Sequence, residues 1–274
     1  MAPGQFDEPD AVPFLSKGAL RSARRLLQRK ARAETGLFLA EGVQAVREAL
    51  AGPDVVVRLV VEDPARHGEF VDRALDAGVE VDRARRDELD SLCDTVTSQG
   101  IVAVCRRREA ELSRISDPQL AVICAQVRDP GNAGTVVRCA DAFGADLVVL
   151  TQGSVDITNP KTVRASVGSV FHLPIVTGTT LPDAVEWAHR QHMQVLAADA
   201  SGTALDVLER DARLQGPTAW LMGNEAWGLP ADELALADLV VSVPMWGRAE
   251  SLNLSTAAAI CLYATAGAQH HGRS

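Results

Sequence analysis

The chain has no apolar stretch approaching the ~20 residues that span a bilayer, and its longest candidate, Ala257 to Ala268, has the length of a buried helix. It also lacks a C-x-x-C pair. The five cysteines (Cys93, Cys105, Cys124, Cys139 and Cys261) are odd in number and widely spaced, which argues against a zinc ribbon or a redox couple and reads as reduced intracellular thiols. The six histidines, including the adjacent His270 and His271, form no metal-ligand spacing. The opening residues, Met1 to Asp10, carry acids and prolines where an export leader carries lysines and an apolar core, so a cytoplasmic chain is expected. Positive charge is short as well: 27 Lys and Arg against 36 Asp and Glu leave a net charge of −9. Taken alone, that balance argues against a nucleic-acid partner, whose phosphates reward bulk positive charge.

What remains is a chain of 274 residues with 47% apolar and 23% charged residues, ordinary globular values. At roughly 150 residues per domain, that length suggests two domains. Glu109 to Pro118 is polar, lacks strand character and ends in a helix-stopping Asp-Pro, which marks a linker. Residues 1–116 hold 18 basic and 20 acidic residues, whereas 117–274 hold 9 and 16, so the cations gather in the first half. They gather again between Lys17 and Arg32, where Lys17, Arg21, Arg24, Arg25, Arg29, Lys30 and Arg32 occur with no acid among them. Leu20, Ala23, Leu26, Leu27 and Ala31 recur there at helical spacing, which predicts one basic helix with one packed side. A solvated helix face has the same pattern.

The rest of the first half alternates: strand near Leu37 to Ala40, helix from Val43, strand Val55 to Val61, helix near Phe70 to Ala77, a short strand, helix near Leu89 and strand Gly100 to Val104. This predicts a small α/β sandwich. The second half continues with strands near Leu120 to Ala125, Leu147 to Leu150, Pro174 to Val176, Gln194 to Ala198, Thr218 to Met222 and Leu239 to Val243. Helical patterns between them predict a parallel sheet covered on both faces. In such sheets ligands bind at the carboxyl ends of the strands.

Three loops at those ends carry unusual chemistry. The first, Arg128 to Ala145, has a turn at Asp129-Pro130-Gly131, Asn132 as a favourable N-cap, and Arg138 about one and a half turns later, directed back toward the same pocket mouth. A turn, a cap and a surface arginine also describe it. The second, Leu221 to Pro230, joins two glycines, Glu225 and an aromatic; a loop that merely starts a helix would look similar. The third, Val243 to Ala259, places Ser251 as an N-cap with Asn253 and Ser255 at the head of an apolar helix, and capping by Ser251 leaves Asn253 unexplained. No Gly-x-Gly-x-x-Gly follows the first strand of this half, which sets aside a dehydrogenase-type nucleotide module.

Together the loops resemble the three signature motifs of the SpoU/TrmH family of RNA ribose methyltransferases, in the knotted SPOUT superfamily. The first matches Asn-x-Gly-x-x-x-Arg followed by Ala-Asp-Ala-Phe-Gly, the second Gly-x-Glu-x-x-Gly, and the third Pro-Met-x-Gly with Ser-Leu-Asn-x-Ser. Arg29 to Arg32 with Gly36 to Gly42, and Asp94 to Val104, are similar to the opening and closing of the family's ribosomal-protein-like substrate-binding domain.

The resemblance implies an RNA-binding α/β domain over residues 14–110, then a parallel-sheet α/β methyltransferase domain with a trefoil knot over 117–270. It implies methyl transfer from S-adenosylmethionine (SAM) to a ribose 2′-hydroxyl, of ribosomal RNA before transfer RNA; a non-catalytic RNA-binding protein of the same fold is the alternative. Arg138 matches the arginine proposed as catalytic base, aided by a substrate phosphate because a guanidinium is a poor base. Asn132, Glu225, Ser251 and Asn253 match the other polar motif positions. Gly223, Val243, Met245, Leu252 and Asn253 match the cofactor-binding positions. Arg21, Arg25, Arg29, Lys30, Arg32 and Arg164 are the expected RNA contacts. A homodimer is implied, with no membrane and no metal.

Overall fold

A computed structural model describes residues 12–95, 97–108 and 110–271. The acidic opening stretch, Val96 in the closing segment of the first half and Glu109 at the head of the expected linker lie outside the described residues. The chain divides into two compact units: the described residues up to Arg108 together with Thr158–Phe171, and those from 110 to Ile157 together with His172 onward. A single cut near residue 110 therefore misses one segment that returns to the first unit.

The first unit contains α1 (Lys17–Arg25), α2 (Arg29–Thr35), β1 (Leu37–Glu41), α3 (Val43–Ala51), β2 (Val56–Val61), α4 (Gly68–Asp76), β3 (Glu80–Arg83), α5 (Arg86–Asp90) and β4 (Ile101–Arg106). Its four strands are ordered β1-β4-β2-β3, antiparallel except for the parallel β2–β3 pair. The two-residue period of a strand builds two cores. Ile101, Ala103 and Cys105 of β4 pack with α3 and α4, while Val102 and Val104 pack on the other face with Ala23, Leu26 and Leu89.

The expected continuous helix over Lys17 to Arg32 is instead two. Gln28 has extended backbone (φ −93, ψ 132), and α2 starts after it. The apolar spacing runs through the break because Leu26 turns into the core. Arg32 occupies the corner: it is buried, and its Nη1 donates to the carbonyls of Leu26 and Leu27 at 2.9 Å each. These are carbonyls that the end of α1 leaves without helical partners, so this guanidinium closes a helix terminus and does not project toward RNA.

The second unit contains β5 (Leu120–Cys124), α6 (Pro130–Ala142) and β6 (Leu147–Leu150). After α7 (Pro160–Ser166), which belongs to the first unit, come β7 (Ile175–Thr177), α8 (Leu181–Arg190), β8 (Gln194–Ala204), α9 (Leu205–Arg210), β9 (Thr218–Met222), α10 (Ala231–Leu234), β10 (Leu239–Ser242) and α11 (Leu254–His271). All six strands are parallel, in the order β10-β8-β9-β5-β6-β7. β5 and β9 are buried throughout, which is why they read as unbroken apolar runs. Helix α8 packs on one face. On the other lie α6 and α11, and Trp220 of β9 donates its Nε1 to Thr265 of α11 at 2.9 Å.

Two features of this sheet position a site. Strand order reverses beside β5, so the loops after β5 and β9 open at a topological switch point. The β8–β10 ladder also breaks register: Val240 pairs with Ala197, but Val241 pairs with Thr203. Residues 198–202 thus leave the ladder, and Gly202 lets them return, since a Cβ there would lie 2.3 Å from the carbonyl carbon of Val240.

Candidate functional site

A cavity of about 530 Å³ opens at the carboxyl ends of the second unit's strands. Its lining draws on all three loops: Asn132; Met222 to Ala226 with Gly228; and Val243, Met245, Ser251, Leu252 and Asn253. The register break adds Ala198, Asp199 and Ala200. Every expected cofactor-binding position, Gly223, Val243, Met245, Leu252 and Asn253, is therefore at one cavity.

A hydrogen-bonded chain runs along it. Asn253 Nδ2 donates to Asn132 Oδ1 at 2.9 Å, and Asn132 Nδ2 donates to Glu225 Oε1 at 3.3 Å. Glu225 also accepts from the backbone N–H groups of Arg128 (3.2 Å) and Asp129 (3.1 Å). The carboxylate at the end of this chain only accepts, which fixes its polarity: Asn132 must offer its amide nitrogen to Glu225 and its oxygen to Asn253. Asn253 then turns its own oxygen toward α11, where Oδ1 accepts from Ser255 N at 2.9 Å, Ser255 Oγ at 2.6 Å and Thr256 N at 3.4 Å.

These contacts revise two expected caps. Asp129 caps α6, accepting from Asn132 N at 2.8 Å with Pro130 in the first turn, so Asn132 sits inside the helix with its amide free for the chain of motif residues. Asn253 caps α11, whereas Ser251 is exposed and precedes the helix; Ser251 and Ser255 do not share a helical face.

The glycines close the loop after β9. Asn224 and Gly228 bond each other's backbone at 3.0 and 2.9 Å, and Gly228 has φ +68. A Cβ on Gly223 would lie 2.5 Å from the carbonyl carbon of Gly228, so the close approach needs glycine at 223. Buried Asn224, unnoticed in the sequence, ties this loop to the one after β5: its Nδ2 donates to the Gln126 carbonyl at 2.6 Å, and its Oδ1 accepts from Ala226 N at 2.8 Å. Asp199 was also unanticipated. No local pattern marks it, because a register break between distant strands brings it to the cavity.

Arg138 departs from expectation. It is exposed and is not among the cavity-lining residues. Six residues at 100° each turn it about 120° away from Asn132 around α6. Arg164 departs too. It is half-buried, and its guanidinium is held by Glu41 at 2.7 Å and Asp94 at 3.1 Å. Burial pulls its pKa down, but the hydrogen bonds to Glu41 and Asp94 outweigh this and raise it. It is engaged by two carboxylates of its own unit, which compete with phosphate for it. Arg21 and Arg29 are exposed; Arg25 and Lys30 are also exposed, and both reach Glu34, at 3.5 and 3.8 Å.

All five cysteines are free. Burial, and after it the negative charge of Glu225, pushes the Cys124 thiol up to about 12, which keeps it a protonated core side chain. Among the described residues, no group of three or more His, Cys, Asp and Glu is arranged to hold a metal ion, and no helix is long and apolar enough to cross a membrane.

The cavity suits a small molecule that combines an apolar ring with positive charge, as the cofactor implied by the resemblance does. Its volume is within the ~300–1,000 Å³ usual for small-molecule sites. It offers Met222, Met245 and Leu252 to an apolar ring, loop backbone to its edges, and the carboxylates of Asp199 and Glu225 to positive charge.

Comparison with known proteins agrees with this geometry. Residues 119–263 match the model of the SpoU rRNA methylase family, and residues 39–111 match that of the RNA 2′-O ribose methyltransferase substrate-binding domain. The chain is 36% identical to the Bacillus subtilis 23S rRNA (guanosine(2553)-2′-O)-methyltransferase RlmP, over 88% of this chain and 92% of that protein. It is 30% identical to the Coxiella burnetii 23S rRNA (guanosine-2′-O-)-methyltransferase RlmB, over 81% and 92%. The AdoMet-bound rRNA methyltransferase from Sinorhizobium meliloti superposes with a TM-score of 0.81 at 32% identity, over 95% of this chain and 97% of that one. Three motif loops joined at one cavity and a match covering both units lead to one assignment: the chain belongs to the SpoU rRNA methylase family.

Proposed function

We propose that this protein transfers a methyl group from SAM to a ribose 2′-hydroxyl of ribosomal RNA. The observation that carries the proposal is the chain Asn253–Asn132–Glu225, which joins residues of three separate motif loops along the cavity.

When bound, SAM supplies the electrophilic methyl carbon. Gly223, Val243 and Leu252, which line the cavity, would hold its adenosine through their backbone, Met245 would offer an apolar side chain to it, and the carboxylates of Asp199 and Glu225 would attract its positive charge. Glu225, fastened by two backbone donors, orients Asn132, and Asn132 orients Asn253 at the cavity wall. Ser251 at the mouth is the remaining polar group for the acceptor ribose. Positioning two reactants with no covalent intermediate is the main source of rate in such a site.

Arg138 works from outside the cavity lining. Its planar fork pairs with a phosphate of the target nucleotide, and that phosphate oxygen takes the proton leaving the 2′-hydroxyl and passes it to water, the guanidinium serving to hold the phosphate in place. Arg21, Arg25, Arg29 and Lys30 hold RNA on the first unit. The reading carries with it a trefoil knot in the C-terminal part of the sheet, a homodimer and a cytoplasmic site of action.

Incubation with methyl-labelled SAM and either total ribosomal or transfer RNA tests the proposal. Label in the ribose of ribosomal RNA supports it, label confined to transfer RNA redirects the substrate, and no label in any RNA refutes methyl transfer. Arg138→Lys should nearly abolish turnover while SAM affinity is unchanged. Sedimentation velocity tests the dimer.

A further inference from the structure

Two of the chain's four tryptophans, Trp187 and Trp220, are buried in the core of the second unit. The other two stand on separate loops that rim the cavity. Trp246 is 91% exposed and directly follows the lining residue Met245; Trp227 is 48% exposed between the lining residues Ala226 and Gly228. Neither indole lines the cavity itself, so what they meet lies outside it, beside loops that do line it.

A cation lies over one ring, and another follows the second ring in sequence. The Arg128 guanidinium lies over the Trp227 ring, 4.9 Å from its centroid. Arg248, two residues beyond Trp246, is exposed, as is Glu250. Large apolar rings left in water beside guanidinium groups are the combination by which proteins hold unpaired nucleotides, with the ring against the base and the cation toward the phosphate.

Building on the methyl-transfer reading above, we infer that Trp227 and Trp246 form a stacking platform for unpaired RNA bases next to the target nucleotide, with Arg128 and Arg248 toward its phosphates. A ribose hydroxyl enters a concave cavity only when its nucleotide leaves the helical stack. The neighbouring bases then lose stacking partners, and exposed indoles replace them. A π-face accepts any base, so the platform favours single-stranded over duplex RNA and discriminates weakly among bases.

Tryptophan emission reads this directly, because Trp187 and Trp220 supply a buried reference. A single-stranded oligouridylate should quench the wild-type protein; a fully paired RNA hairpin should do so weakly. Trp227→Ala with Trp246→Ala should remove the quenching, leave SAM affinity unchanged by calorimetry, and raise the KM for ribosomal RNA by about 5- to 150-fold per ring, equivalent to about 1–3 kcal/mol. Trp227→Phe and Trp246→Phe should restore most of the affinity. Unchanged KM and RNA affinity in the double alanine variant, beside a wild type that methylates RNA, would overturn the platform and leave the parent reading intact. A change in sedimentation coefficient in that variant would assign the rings to a second copy and overturn it too. A wild type that neither binds nor methylates RNA would remove both.

Discussion

Asn253 performs two separable tasks, and two substitutions distinguish them. Its Oδ1 caps α11 through Ser255 N and Thr256 N, while its Nδ2 starts the chain to Asn132 and Glu225. Asn253→Ala removes both: about 1 kcal/mol for the cap, and about 0.5 kcal/mol for a bond between groups that water also reaches. The sum, about 1.5 kcal/mol, lowers the melting temperature by roughly 3–6 °C in a unit of this size. Asn253→Asp keeps the acceptor at the helix terminus, where a negative charge is if anything favourable, so stability should stay within about 0.5 kcal/mol of wild type. It nevertheless replaces the amide donor with an acceptor facing Asn132 Oδ1. Asn132 can relieve that clash only by turning its own oxygen onto Glu225, so the repulsion moves along the chain and does not disappear. Labelled-methyl transfer should fall at least tenfold, about 1.4 kcal/mol of barrier, in the aspartate variant despite its near-normal melting curve. Equal melting losses in the two variants would refute the cap assignment, and an aspartate variant with full activity would refute the functional chain.

Three further outcomes follow from the geometry. Arg32→Met strips one buried and one half-buried carbonyl of a charged donor and should cost about 1.5–3 kcal/mol in denaturant unfolding, whereas Arg21→Ala and Arg29→Ala should leave stability within about 0.5 kcal/mol while weakening RNA binding. Gly223→Ala drives a Cβ into the Gly228 backbone and should reduce SAM affinity at least tenfold in calorimetry; unchanged affinity would contradict the close approach. His67 is buried with Nε2 lacking a partner; burial first, then Arg66, holds its pKa below the ordinary 6.5 despite the opposing Gln99 carbonyl. Between that lowered value and 6.5 the unfolded chain binds a proton that the folded one refuses. The first unit should therefore lose stability as pH falls below 6.5, by at most about 1.4 kcal/mol per pH unit, with no contribution from this group above it. A His67→Gln variant with the same pH slope between 5 and 7 would remove the assignment.

The strands were legible where both faces are buried. Leu147–Leu150 and Thr218–Met222 have the bounds the apolar runs suggest, because in a parallel sheet burial and sequence pattern coincide. The helix break at Gln28 was not, since apolar spacing continues through Leu26 and Leu27 and the residue that makes the corner stable, Arg32, looks like another surface cation. The caps were misread although a signal existed: Asp129 stands before Pro130, and a proline in the first turn points to the residue before it as the cap. Motif spacing brought the three loops together in advance, yet it carried no information on which way each amide faces. That polarity follows only once Glu225 is seen accepting from two backbone donors.

The charge of −9 is averaged over a length that an RNA phosphate never senses. Screening confines exposed charges to about 8–10 Å at moderate salt, so what counts is the set of cations that project together. That set is smaller than the six expected RNA contacts suggest, because Arg32 is used inside the fold and Arg164 is held by Glu41 and Asp94. Each phosphate neutralised by RNA contact contributes about 0.7–0.9 to the slope of log affinity against log salt. Removing the charge of Arg21 or Arg29 should therefore lower that slope by nearly one. Arg32→Met, measured at a temperature where the fold is intact, should leave it unchanged. A drop in slope for Arg32→Met equal to that for Arg29→Ala would mean that the buried guanidinium reaches RNA after all.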